Sequence, residues 1–374
     1  TAATARRAMV LTNFHWGLHA WAVYGIGGLV LAYFGFRKKT PYLAGAPLRA
    51  AFRGRWVEPV ALLADVIAVL AVAFGVAGSL GMGTLQVQAG LHAVAGVSDS
   101  SLTVRVIILV SMAVCYMLSA STGLDKGIKW LSNINMGLAV LLLIFVLGTG
   151  PTGFLLSTFV TSLGDYASNL VGLSLRLYPF SDIDDWLASW TLTYFIWWIA
   201  WTPFVGIFIA RISRGRTVRS FVLAVLLAPS LVSVLWFSVF GGAGFDMQMH
   251  GAGGLGALVR EDVTAALFSI FDRMPMSELL SGIAIALVFI FIVTSVDSAT
   301  YVLGMLTSRG SQNPSASRKL AWGIGLGALA STLLFAGDIA AVRAVAVLGA
   351  VPFTFILLLQ VAALLRVLRT EREP

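Results

Sequence analysis

Three tryptophans fall within five residues in the run WTLTYFIWWIAWTPFVGIFIARISRGR: Trp197, Trp198 and Trp201. On a helix turning about 100° per residue they share an arc of about 100°. Indole faces attract cations, and a quaternary ammonium group, which donates no hydrogen bond, is recognised mainly by aromatic faces and close packing. Packing against neighbouring helices is the alternative use of the same rings. A second aromatic set lies in NFHWGLHAWAVYG, where Trp16, Trp21 and Tyr24 lie within about 140° of one another. Trp16 and Trp21 stand near the end of their apolar run, where indoles also serve as interface anchors. His15 and His19, one turn apart in that segment, are able to pair or titrate.

Oxygen chemistry is concentrated in IFIVTSVDSAT. Asp297 stands in an otherwise uncharged run, flanked by Thr294, Ser295 and Ser298. A carboxylate at membrane depth is costly and reads as functional by default. Hydroxyl and carbonyl oxygens suit Na⁺, and a membrane carboxylate suits a proton relay. The alternative is that the hydroxyls bond to the preceding helical turn and Asp297 caps a neighbouring segment.

The elements that must hold these residues are membrane helices. Of 374 residues, 58% are hydrophobic and 11% charged, against about 25% charged in a soluble protein. That excludes a soluble enzyme, a disordered tail and a secreted disulfide scaffold. The one cysteine, Cys115, has no internal partner, and with four histidines it argues against a dedicated metal site. The apolar runs are too long for the short alternating strands of a barrel. Nine are long enough to span: 14–36, 59–84, 103–122, 129–149, 187–210, 220–240, 280–306, 319–336 and 340–365.

The net charge of +8 is a matter of topology rather than of nucleic acid. Eighteen of the 25 basic residues follow the first, third, fifth, seventh and ninth runs, in groups such as Arg37–Lys38–Lys39 and Arg211–Arg214–Arg216–Arg219. Positive residues stay on the cytoplasmic side, so the first span enters from outside and the last ends inside. Arg6 and Arg7 fall on the outer side and run against this rule. The chain reads as a single membrane domain, residues 1–374. Residues 1–151 hold four spans and 152–180 an amphipathic helix lying at the outer surface. Residues 187–365 hold the oppositely oriented remainder. Opposed groups of spans imply an inverted repeat, the plan of secondary transporters. The counterpart of the fifth span, which opens the second repeat, is then expected before Thr1. The glycine-rich 241–279 segment is expected to be a mobile outer loop. No HExxH or GxSxG motif and no nucleophile–base pair at depth supports a membrane-embedded enzyme.

These motifs resemble the betaine/choline/carnitine transporters. The resemblance is carried by WWIAWTPFVGIFIARISRGRTVRSFVLAVLLAPS, FHWGLHAWAVYG, FGVAGSLGMGTLQVQAGL, TGLDKGIKWLSNINMG and TSVDSAT. It implies a multi-pass protein of the bacterial inner membrane with a LeuT-like inverted-repeat fold. About nine of an expected twelve spans are present, the N-terminal part being absent, and the assembly is a homotrimer contacting through the 152–180 helix. The implied activity is import of choline, glycine betaine or a similar trimethylammonium compound on a Na⁺ or H⁺ gradient. An ion-independent exchanger is the alternative. No cofactor is implied beyond a coupling ion. By the motif match, Trp197, Trp198 and Trp201 line the central cage, Trp16, Trp21 and Tyr24 form a related patch, and Phe204 and Phe208 line the inward path. Thr294, Ser295 and the Phe291 backbone match the family's sodium site, with Asp297 a candidate coupling group. Two positions depart from the sodium-coupled pattern: Val72 and Val76 stand where threonines supply a further ion site, although Ser79 is kept.

Overall fold

A computed structural model describes residues 1–122, 125–335 and 339–371. The described residues contain helices and no strand. The helices, in chain order, are α1 (Ala2–Trp16), α2 (Leu18–Ala32), α3 (Ala46–Ala51), α4 (Val57–Ala95), α5 (Leu102–Thr122), α6 (Asp125–Thr149), α7 (Thr152–Ser174), α8 (Asp184–Trp186), α9 (Thr193–Ile212) and α10 (Val218–Met249). The last five are α11 (Leu255–Glu261), α12 (Ala266–Asp272), α13 (Ser277–Leu306), α14 (Ala316–Phe335) and α15 (Ile339–Thr370). Among the described residues, eight stretches are long and apolar enough to cross a membrane. The chain is therefore an all-α, multi-pass membrane protein. At 39 residues, α4 is long enough to cross a hydrocarbon core of about 30 Å at a steep tilt.

The sequence places nine spans, and the structure differs in instructive ways. The stretch 319–336 forms α14, yet α14 is not among the eight. It carries Arg318 and Lys319 and buries Gly323, Leu326 and Ala330 against α4, α5 and α13, so protein rather than lipid covers its apolar face. The first span starts twelve residues earlier than expected and is interrupted at Gly17. A π-helical turn, Tyr33–Arg37, ends it. A second π-helical stretch, Leu187–Leu192, joins α8 to α9.

The expected outer loop over 241–279 is corrected. Helix α10 runs through Gly241, Gly242 and Gly244 to Met249, and α11 and α12 occupy much of the remainder. The glycines serve packing there: a methyl group on Gly242 would lie 3.0 Å from Leu155, and one on Gly244 3.1 Å from Ile270. Helix α7 forms where the amphipathic surface helix is expected but ends at Ser174, burying Leu155, Ser162 and Tyr166 while leaving Val160 and Val171 exposed. Gly123 and Leu124 of the TGLDKGIKWLSNINMG motif lie outside the described residues, as do Arg372 and the side chains of Lys126 and Arg343.

The main core joins α4, α5, α13 and α14 with the inner half of α9, through Val72, Val76, Leu80, Met112, Tyr116, Phe204, Val296 and Leu303. A separate aromatic cluster gathers on α2, α9 and the start of α10 around Ala20, Tyr24, Trp198 and Phe221. Helix α9 packs chiefly on α2, α4 and α15.

Candidate aromatic site

The break at Gly17 builds one wall of the site. A residue with a Cβ there would meet the Asn13 carbonyl oxygen at 2.4 Å and the Tyr166 ring at 2.9 Å, so glycine alone lets the chain turn beneath Tyr166. Interrupting the helix releases backbone carbonyls from their intrahelical partners. That of His15 accepts the Trp198 Nε1–H at 2.8 Å. Trp198, 9% exposed, is thus fixed at both ends: its N–H is bonded and its ring is boxed. Trp16 meets it edge-on at 4.7 Å between centroids, and Tyr24 does so at 5.7 Å. Trp21 stands edge-on to Tyr24 at 5.6 Å. The first-span set and Trp198 therefore come together, although 183 residues separate His15 from Trp198.

The other expected cage residues divide. Trp201 turns toward α4, where its indole lies against Gly75, and its buried Nε1–H has no hydrogen-bond partner among the described residues. From Trp201 a file of edge-on rings descends, Phe204 at 5.4 Å and then Phe208 at a further 5.5 Å. Trp197 packs on the outside of the α2–α9 cluster without a ring-to-ring contact among the described residues. The three neighbouring indoles thus face different neighbours rather than one shared cage.

On α13, the Thr294 hydroxyl donates to the carbonyls of Ile290 at 2.9 Å and Phe291 at 3.1 Å. This is the bonding to the preceding turn that the sequence leaves open as an alternative. Ser295 is half-buried, Asp297 buried, and Phe291 60% exposed. Val72 and Val76 are fully packed in the main core, while Ser79 donates back to Gly75 O at 3.1 Å.

Toward the outer side the wall continues in residues that motif reasoning passes over. A cavity of about 790 Å³ is lined by Trp16, Trp186, Trp190, Tyr194, Phe237 and His15, with Arg7 among the residues at its outer end. The His15 ring stacks on Tyr194 at 5.2 Å, and its Nε2 lies 3.0 Å from Thr191 Oγ1. Trp16 meets Tyr194 at 5.6 Å and Phe237 at 5.4 Å. Trp186, Trp190 and Tyr194 recur every four residues, a helical stripe visible in WLASWTLTY but indistinguishable there from an interface belt.

Helix α7 is fastened to this wall from outside. His19 Nδ1 lies 3.0 Å from Tyr166 Oη, and His19 Nε2 lies 2.7 Å from Ser174 Oγ. Asn13 Nδ2 donates to Ser162 O at 3.4 Å, and Arg6 forms an ion pair with Asp165. Hydrogen bonding from the Arg6 guanidinium, aided by its charge, holds the Asp165 carboxyl below its ordinary range, and burial pushes the Tyr166 phenol up to about 12.

The C-terminal end of α9 is tied to α13. Arg211 donates to Tyr301 Oη at 3.2 Å and lies over the same ring, while Tyr301 Oη donates to Gln312 O at 2.5 Å. Arg214 covers the Phe36 ring.

Residues 1–373 match the family model described as BCCT, betaine/carnitine/choline family transporter. The chain is 45% identical over 370 residues to the glycine betaine transporter OpuD of Bacillus subtilis, spanning 98% of this chain and 71% of that protein. It is 44% identical to the ectoine/hydroxyectoine transporter of Virgibacillus pantothenticus, over 97% of this chain and 72% of the relative. Glycine betaine transporter 1 of Vibrio parahaemolyticus is 41% identical, over 99% and 70% respectively.

Proposed function

Since the chain belongs to the betaine/carnitine/choline transporter family, and is a membrane transporter rather than an enzyme, we propose that it imports a small onium solute such as glycine betaine or choline, driven by a Na⁺ or H⁺ gradient. The carrying observation is the boxed indole of Trp198, locked by the His15 carbonyl and flanked edge-on by Trp16 and Tyr24. Rings fixed in advance lose little entropy when a methylated cation settles against them. Trp201 adds a donor without a protein acceptor beside the same α9 wall. A buried N–H left unbonded costs about 1–3 kcal/mol, so a solute offering an oxygen to it gains correspondingly.

The route runs from the outer aromatic cavity, past Trp16 and Trp198, to Trp201 and then along Phe204 and Phe208. Coupling falls to α13. There the oxygens of Phe291, Thr294 and Ser295 would hold Na⁺ once the Thr294 hydroxyl turns from its own helix, and buried Asp297 offers a proton site. Dry packing of Val72 and Val76 supports a single ion site rather than two. The 152–180 segment is the trimer contact in this reading, because α7 leaves an apolar side open.

Uptake of labelled glycine betaine into vesicles, with the Na⁺ and pH gradients imposed or collapsed one at a time, tests the proposal. Uptake is expected to fall when the driving gradient is removed. Trp201→Ala is expected to raise KM about tenfold, from the loss of about 1–2 kcal/mol of cation–π contact. Uptake indifferent to both gradients would establish exchange instead, and an unchanged KM in Trp201→Ala would sink the aromatic route.

A further inference from the structure

We infer that Arg7 selects solutes carrying a carboxylate, so that this transporter takes zwitterions such as glycine betaine in preference to choline. The inference rests on the transport reading above and narrows its substrate class.

Arginines on the outer side of a membrane protein need a local reason. Arg6 has one, its ion pair with Asp165. Arg7, next in the chain, has no ion pair and no side-chain hydrogen bond among the described residues. It lines the outer cavity together with Trp16, Trp186, Trp190, Tyr194 and Phe237. Arg7, Leu11 and His15 repeat every four residues on α1 and all three line that cavity, so they share one face of the helix. Asp184 and Asp185 directly precede Trp186 but do not line the cavity.

One chamber thus offers two complementary surfaces. Its aromatic wall suits an alkylated or delocalised cation, and its lining includes the exposed Arg7 guanidinium, which makes no ion pair among the described residues and whose fork matches a carboxylate. A zwitterion engages both. Choline satisfies only the rings and meets Arg7 as a like charge. The cavity, at about 790 Å³, is several times larger than a compact solute, so it suits an entry vestibule. Arg7 therefore acts on capture, before the solute reaches Trp198.

The full-length protein would be titrated with glycine betaine and with choline, reading tryptophan fluorescence in detergent and uptake in proteoliposomes. Arg7→Gln is expected to weaken glycine betaine about tenfold, the value of one charge-assisted pair, and to leave choline equal or improved. Arg7→Lys should recover part of the loss, and Arg6→Gln should move both solutes alike. A protein that takes choline as readily as glycine betaine, or an Arg7→Gln variant whose preference is unmoved while it still takes up glycine betaine, overturns the role of Arg7 alone. If the unaltered protein binds and carries neither solute, the transport reading itself falls.

Discussion

Trp198 is the residue through which most of the site's order passes. Its N–H bonds a carbonyl freed by a helix break, and its two flanking rings come from the segment that contains the break. Trp198→Phe keeps an aromatic face but removes the donor and leaves the His15 carbonyl facing an apolar ring. Loss of that buried hydrogen bond is expected to cost about 1–2 kcal/mol, read as a lower melting temperature in detergent with only a modest change in solute affinity. A large affinity loss with unchanged melting would show that the indole recognises solute through its nitrogen rather than standing as a fixed wall. At this scale the residue types were legible and their partners were not. Trp198 could be picked out because indoles away from the membrane edge are unusual, and Trp16 and Tyr24 because they share one arc of their helix with Trp21. That Trp198 would seek the carbonyl of His15, while Trp201 would turn to Gly75, depends on contacts across many tens of residues that no local spacing encodes.

Helices were legible as runs, and their interruptions were not. A glycine inside a membrane span is ordinary, so Gly17 carries no signal in FHWGLHAWAVYG. The structure gives it one: the Tyr166 ring and the Asn13 carbonyl leave no room for a methyl group. Gly17→Ala is expected to force Tyr166 aside and strain its contact with His19. The measurable results are a melting temperature lower by several degrees, consistent with about 1–3 kcal/mol of overpacking strain, and reduced uptake that Gly137→Ala, with open space around its Cβ position, does not share. At α14 the apolar run reads as a span, while in the structure its packing face is buried against other helices. Glycine misleads at α10, where a loop-like composition turns out to serve close helix contact.

For the molecule as a whole, the two ends of α9 are bordered by different chemistry. The aromatic cavity is bounded by rings, whereas at the other end of α9 Arg211 reaches Tyr301 and Tyr301 reaches Gln312, a link expected to hold that end closed. Ala210, fully buried just above this link, is a convenient reporter. In a Cys115→Ser background, Ala210→Cys should react slowly with an impermeant maleimide applied from the inner side, and severalfold faster once Tyr301→Phe removes both hydrogen bonds. No difference in rate would mean that the link does not hold the inner end closed. That the chain is a bundle of membrane-crossing helices was legible in its apolar runs. How the C-terminal end of α9 is tied to α13 was not, since it depends on a few long side chains.

The fastening of α7 has a consequence of its own. Arg6, Asn13 and His19 bolt that helix to the first span on both sides of Gly17, while Val160 and Val171 face outward from it. A neighbouring protein that gripped those valines would hold a lever whose fulcrum is the kink at Gly17 and whose short arm ends on Trp16. Crowding at the rim would then be felt by the ring that borders the bound solute, with no separate sensor to relay it.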